Sequence, residues 1–194
     1  MRFEISKVLD AIEGRISTNP ALVRAVVDIA EVVRFVDFDG GRPASLLRLG
    51  MVIDALSHAL EEEGVSVYPI VHRALLSDAD LTSNERMVVR RWADDGLAEV
   101  LADPADRVLE VADLLGLPVL SRQRFDRFRD RYPWLHRQPG RLLSPVPAPG
   151  GVTLVGDSEG KSGPVSAADR SPAGVRFLSR VWRCPEPGCT LFGS

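Results

Sequence analysis

Residues 25–33 of this 194-residue chain read AVVDIAEVV, and the fold depends on whether that stretch is extended or helical. Only Asp28 and Glu31 interrupt an otherwise apolar run. An unalternating Val-rich run is the pattern of a strand buried on both faces of a parallel sheet. A helix is the alternative: Asn19-Pro20 would supply its N-cap and first position, and Asp28 would lie on a wet face. Periodicity over so few residues does not choose between them. In the strand, Asp28 is costly to bury unless it has a partner.

The flanking segments are less ambiguous. Before the run, Ile5, Val8, Leu9 and Ile12 recur at helical spacing over Glu4 to Arg15, so residues 1–20 are expected to be a helical extension. After it, the turn signal Asp39-Gly40-Gly41 precedes Leu46, Leu49, Val52, Ile53, Leu56 and Leu60. This predicts an amphipathic helix over Pro43–Glu63, stopped by Gly64. Val65–Val71 is β-branched and aromatic and predicts a strand, with Pro69 near its end or at a bulge. Thr82-Ser83-Asn84-Glu85 is a capping box for a helix to about Asp95. Leu97–Leu101 predicts a short strand. Asp103-Pro104 opens a helix through Leu115, closed by Gly116, and Leu117–Leu120 predicts the next strand. Strands alternating with helices imply an α/β chain whose mostly parallel sheet is covered on both faces.

Past Leu143 the chain turns rich in Pro, Gly, Ser and Ala, a composition that buries too little apolar surface to offset its ordering entropy. The domain is therefore expected to span residues 21–145, with a flexible linker over 146–174 and a tail over 175–194. Within the linker, GDSEGKSG has the spacing of a phosphate-binding loop, but no strand or helix pattern flanks it, so it carries no nucleotide reading. In the tail, Cys184 and Cys189 frame CPEPGC, half of a zinc knuckle. Zn2+ needs four ligands, so this pair is a partial site.

Hydrophobic residues make up 45% and charged residues 26%, ordinary for a globular domain. No window approaches the roughly 18 apolar residues of a membrane span, and the N-terminus lacks a signal-peptide core, so a cytoplasmic protein without a membrane role is expected. The net charge of -3 provides no global field for nucleic acid, so such a role would need local basic residues. These are present. Arg122, Arg124, Arg127, Arg129 and Arg131 are interleaved with Phe125, Phe128 and Tyr132, and Arg73 follows the second strand. Guanidinium forks suit phosphate and aromatic faces stack unpaired bases, although a solvated helix face would look the same.

Acids at the carboxyl ends of parallel strands are candidate metal ligands. Asp28, Glu85 and Asp106 follow strands or open helices, and gathered carboxylates would call for a hard cation such as Mg2+. Structural duties compete at each. Glu85 completes the capping box, Asp106 lies in a first helical turn favoured by the macrodipole, and Asp28 could be solvated.

In order, these segments resemble the NYN/PIN ribonucleases, in particular the branch similar to the regnases. Val26-Val27-Asp28-Ile29-Ala30-Glu31-Val32 resembles the strand-one motif, and Gly40-Gly41-Arg42-Pro43 the following loop. Val67-Tyr68-Pro69-Ile70-Val71-His72-Arg73 is similar to strand two. Ala105-Asp106-Arg107-Val108-Leu109 resembles the paired-aspartate helix start, and Ser121-Arg122-Gln123-Arg124-Phe125 the serine-asparagine-aspartate motif. Tyr132-Pro133-Trp134-Leu135 matches a closing tryptophan segment. The resemblance implies that residues 25–32 are a strand, in a Rossmann-like three-layer sandwich. It implies a metal-dependent endoribonuclease in which Asp28 and Asp106 hold Mg2+ or Mn2+ and Glu85 assists through water. Single-stranded RNA would be bound by Arg73, Arg122, Arg124 and Arg127. The family's asparagine is here Glu31, one paired aspartate is Ala105, and the late aspartate is Gln123. These departures imply an alternative, a catalytically silent scaffold that binds RNA, a protein partner or a second copy of itself.

Overall fold

The structure is a computed structural model and describes residues 2–156. Helix α1 (Arg2–Glu13) precedes strand β1 (Val23–Asp28), which runs directly into a one-turn helix α2 (Ile29–Val32). Then come α3 (Leu47–Leu60), β2 (Ser66–His72), α4 (Ser83–Asp94), β3 (Glu99–Leu101), α5 (Ala105–Leu115) and β4 (Val119–Leu120). Another one-turn helix, α6 (Trp134–Arg137), and the strands β5 (Leu142–Ala148) and β6 (Gly151–Gly156) complete the described chain. The deciding stretch is thus extended up to Asp28 and helical after it.

One six-stranded sheet runs in the order β3-β2-β1-β4-β5-β6. Its first five strands are parallel, and β6 returns antiparallel to β5. Alternating side chains feed two cores. Ala25, Val27, Val67 and Val71 pack with Leu9, Ile12, Leu49, Ile53, Val89 and Trp92, so α1, α3 and α4 cover one face. Val23, Val26, Tyr68 and Ile70 pack with Val108, Leu109, Tyr132 and Trp134, so α5 and the segment after β4 cover the other. This is an α/β three-layer sandwich with a mostly parallel central sheet, as the alternation of elements implied.

Several local expectations differ from the structure. The sheet does not end near residue 145. Pro145 and Pro147 lie in β5 opposite Leu154 and Val152, and the chain reverses through Gly150 at φ +88°. Beta4 pairs with β5 only at Leu142 and Leu143, so the prolines stand where that side of the ladder needs no N–H donor. Leu154 enters the α3-side core. The flexible linker therefore does not begin at residue 146, because a short hairpin buries apolar surface that composition alone conceals.

Similarly, the helix expected over 1–20 is not an appendage. Ile12 packs so tightly against α3 that a Cβ on Gly50 would meet it at 3.1 Å, and Glu13 accepts a hydrogen bond of 2.7 Å from the Trp92 indole. Finally, Pro69 lies mid-strand with no bulge at its position. Beta3 begins at Glu99 opposite Ile70, which leaves Pro69 unpaired on that side.

The α3 helix begins at Leu47, later than Pro43, because the preceding loop is organised around Arg48. That guanidinium is fully buried and donates to Val33 O at 2.6 Å, to Pro43 O and to the Asp39 carboxylate. A buried charge is tolerable when its donors are filled in this way. Among the described residues no helix is long and apolar enough to cross a membrane.

Candidate functional site

The strand order reverses between β1 and β4, and the carboxyl ends of strands at such a reversal are where open α/β sheets form their ligand crevice. Asp28 ends β1 there. It is 6% exposed, and its Oδ1 accepts the Ala30 N–H at 2.9 Å, capping α2. Burial raises its carboxyl above the ordinary range, against the pull of the Ala30 and Glu31 amides and of His72 at the end of β2.

Glu31 lies one helical turn on and faces β4. Its Oε2 accepts the Ser121 hydroxyl at 2.6 Å and its Oε1 accepts the Arg122 N–H at 2.7 Å. Burial is the main force raising its carboxyl, and the nearby Asp28 charge adds to it. Ser121 is itself fully buried. The Gln123 N–H donates to its Oγ at 2.9 Å, and the Ser144 hydroxyl donates to its carbonyl. Asp28, Glu31 and Ser121 thus gather at the end of β1 and β4, with the His72 charge acting on Asp28 from the end of β2. Glu31, which stands where the resembled family has an asparagine, is not among the site residues to which the sequence points. Its three-residue spacing from Asp28 puts both carboxyls on one side of the chain, but that spacing alone does not mark it as a site residue.

The other nominated acids lie elsewhere. Glu85 is 1% exposed and accepts both Arg42 donors at 2.9 and 3.0 Å, the Leu46 N–H at 2.9 Å, and the Thr82 N–H and hydroxyl. Burial alone would raise this carboxyl, but Arg42, Thr82 and Leu46 together hold it below its usual value. The capping box is fully formed. Asp106 opens α5 and accepts from Arg131 at 2.6 Å and from the Tyr132 hydroxyl at 3.0 Å. Burial and this aspartate push the Tyr132 phenol up to about 12. Ala105 packs into the α5-side core and Gln123 is exposed.

A divalent cation of the kind the resemblance implies would need carboxylates of this set free to meet it. Asp28 is associated with Glu31 and His72, whereas Glu85 and Asp106 are each bound to separate arginines. Among the described residues no group of three or more His, Cys, Asp or Glu is placed to hold a metal ion. Both Glu31 oxygens are already held by protein donors. Mg2+ keeps much of its hydration but still needs one or two free carboxylates in near-octahedral array. The donor set does not fit that ion.

The nominated arginines divide into two kinds. Arg122 is committed to the fold. Its Nε donates to Pro145 O at 2.6 Å, its guanidinium pairs with Asp37, and it lies 4.0 Å from the Phe35 ring centroid. By contrast, Arg73 after β2 and Arg124 after β4 are exposed and make no side-chain hydrogen bond or ion pair among the described residues. Arg127 is exposed, 3.8 Å from Asp103 and 4.7 Å over the Phe128 ring. Cys184 and Cys189 lie outside the described residues.

No family model matches the chain, and no curated protein matches it. Solved structures do. A crystal structure of nuclear proteinaceous RNase P 2 from Arabidopsis thaliana is similar over 77% of this chain and 32% of that one, at 16% identity and a TM-score of 0.52. A second structure, of Arabidopsis thaliana nuclear protein-only RNase P 2, is similar over 78% and 32%, at 17% identity and a TM-score of 0.49. The chain spans about a third of the length of these plant chains (32%), and at such identity the likeness is one of fold. The expected architecture, a Rossmann-like three-layer sandwich around a mostly parallel sheet, is the architecture of this chain.

Proposed function

We propose that this domain is a nuclease-fold module that holds single-stranded RNA at the carboxyl edge of its sheet without cutting it. The observation that carries the reading is the fate of the acids. Glu85 and Asp106 are neutralised by Arg42 and Arg131, and Glu31 is bound to Ser121 and Arg122, which leaves Asp28 without partners for a cation. Ala105 and Gln123 add no charge where the family pattern has aspartates. Binding is supported by Arg73 and Arg124, whose guanidiniums are free on the strand ends that flank β1, and by Arg127 over Phe128. Guanidiniums suit phosphate oxygens and an aromatic face suits an unpaired base. A structural neighbour named as an RNase P makes RNA the ligand class to try first. Arg122 serves in this reading by fixing the end of β4.

The test is fluorescence anisotropy with a labelled single-stranded RNA, followed by incubation with Mg2+ or Mn2+ and gel analysis. Binding without metal-dependent cleavage is expected. Cleavage that requires the metal and disappears in Asp28→Asn would replace this reading with that of a metal-dependent endoribonuclease. Absence of binding would leave neither.

A further inference from the structure

We infer that the Ser121 hydroxyl and the Arg122 backbone N–H form an oxyanion subsite in the β1–β4 crevice, occupied here by the chain's own Glu31 carboxylate. The inference deepens the RNA-binding reading and rests on it for its ligand, a phosphate of the RNA. A carboxylate gripped by one hydroxyl and one backbone N–H, at 2.6 and 2.7 Å, takes the contacts that a phosphate oxygen would take.

Three features make the donors a site in their own right. They lie where the sheet order reverses, the position at which open α/β sheets take ligands. They are held in place without Glu31: the Gln123 N–H orients the Ser121 Oγ, Ser144 holds the Ser121 carbonyl, and the Ser121 N–H donates to Leu143 O at 3.1 Å. The occupant, in turn, is poorly accommodated. Glu31 is a flexible side chain on a four-residue helix, buried beside a second acid, so its removal relieves a like-charge contact. Arg124, two residues beyond Arg122, is exposed and makes no side-chain hydrogen bond or ion pair among the described residues, so its charge is available to a phosphate.

The experiment titrates inorganic phosphate by calorimetry, and the labelled RNA by anisotropy, into wild type, Glu31→Ala, Glu31→Ala with Ser121→Ala, and Asp28→Asn. Glu31→Ala should bind phosphate about tenfold more tightly, the size of one charge-assisted hydrogen bond. Adding Ser121→Ala should cancel most of that gain. Asp28→Asn removes a charge from the same crevice but frees no donor, so its gain should stay below about threefold. No tightening in Glu31→Ala, or an equal gain in Asp28→Asn, overturns the subsite. If Glu31→Ala does not fold, Glu31→Ser keeps a polar side chain on α2 that is too short to reach either donor and so frees both. A phosphate gain in that variant supports the subsite and its absence overturns it. RNA binding that fails in every variant while phosphate binding tightens defeats the RNA reading and leaves the subsite standing.

Discussion

Asp28 and Glu31 carry protons more readily in the folded chain than in the unfolded one, because burial penalises their charged forms. A carboxyl raised in the folded state contributes its full stability below its unfolded value, near 3.8 for Asp28, and loses it as pH rises through the folded value. At pH 7 these acids are therefore an electrostatic liability. Asp28→Asn keeps an oxygen to accept the Ala30 N–H and removes the buried charge. It should raise the melting temperature at pH 7 by about 2–4 °C, with the gain vanishing near pH 4. Thermal unfolding followed by circular dichroism at the two pH values checks this, and a lower melting temperature at pH 7 refutes it. Of this pair, only Asp28 could be singled out along the sequence, because an acid set among valines announces an unusual environment. Glu31 could not, since its hydroxyl partner, Ser121, lies 90 residues away. Nor could the neutralisation of Glu85 by Arg42, 43 residues apart, or of Asp106 by Arg131, 25 apart. Residue type and local spacing locate acids at strand ends. Only the folded chain decides whether they meet one another or meet arginines.

At the scale of elements, the helices announced themselves through period and caps: the Thr82–Glu85 box and the left-handed Gly116 closing α5 are where local chemistry puts them. The β5–β6 hairpin did not, because its strands contain Pro145, Pro147 and several glycines, which read as a linker unless the pairing partner is known. Its contribution to the core can be measured. Leu154 is 7% exposed and packs in the α3-side cluster, so Leu154→Ala should cost about 2–4 kcal/mol by urea denaturation. If residues 146–156 were loosely attached chain, the substitution would be silent.

For the molecule as a whole, a net charge of -3 argues against non-specific attraction to nucleic acid, so the proposed binding would have to come from a few arginines at one edge. That has a quantitative signature. Each phosphate contact on a single strand contributes about -0.7 to the slope of log affinity against log salt. Arg73→Ala with Arg124→Ala should weaken RNA binding and flatten the slope by about 1.4 if each guanidinium meets one phosphate. Anisotropy over a salt series measures it, and an unchanged slope removes both arginines from the interface. The buried Arg48 has a further consequence for how this edge behaves. The connection from α2 to α3, including residues 33–46, would ordinarily be the mobile rim of such a crevice. Its carbonyls at Val33, Arg42 and Pro43 and the carboxylate of Asp39 all converge on one guanidinium carried by α3. The rim therefore cannot swing as a separate lid. It opens only when the first turn of α3 leaves the core, so a ligand arriving at the crevice meets a wall already set, and adjustment falls to side chains.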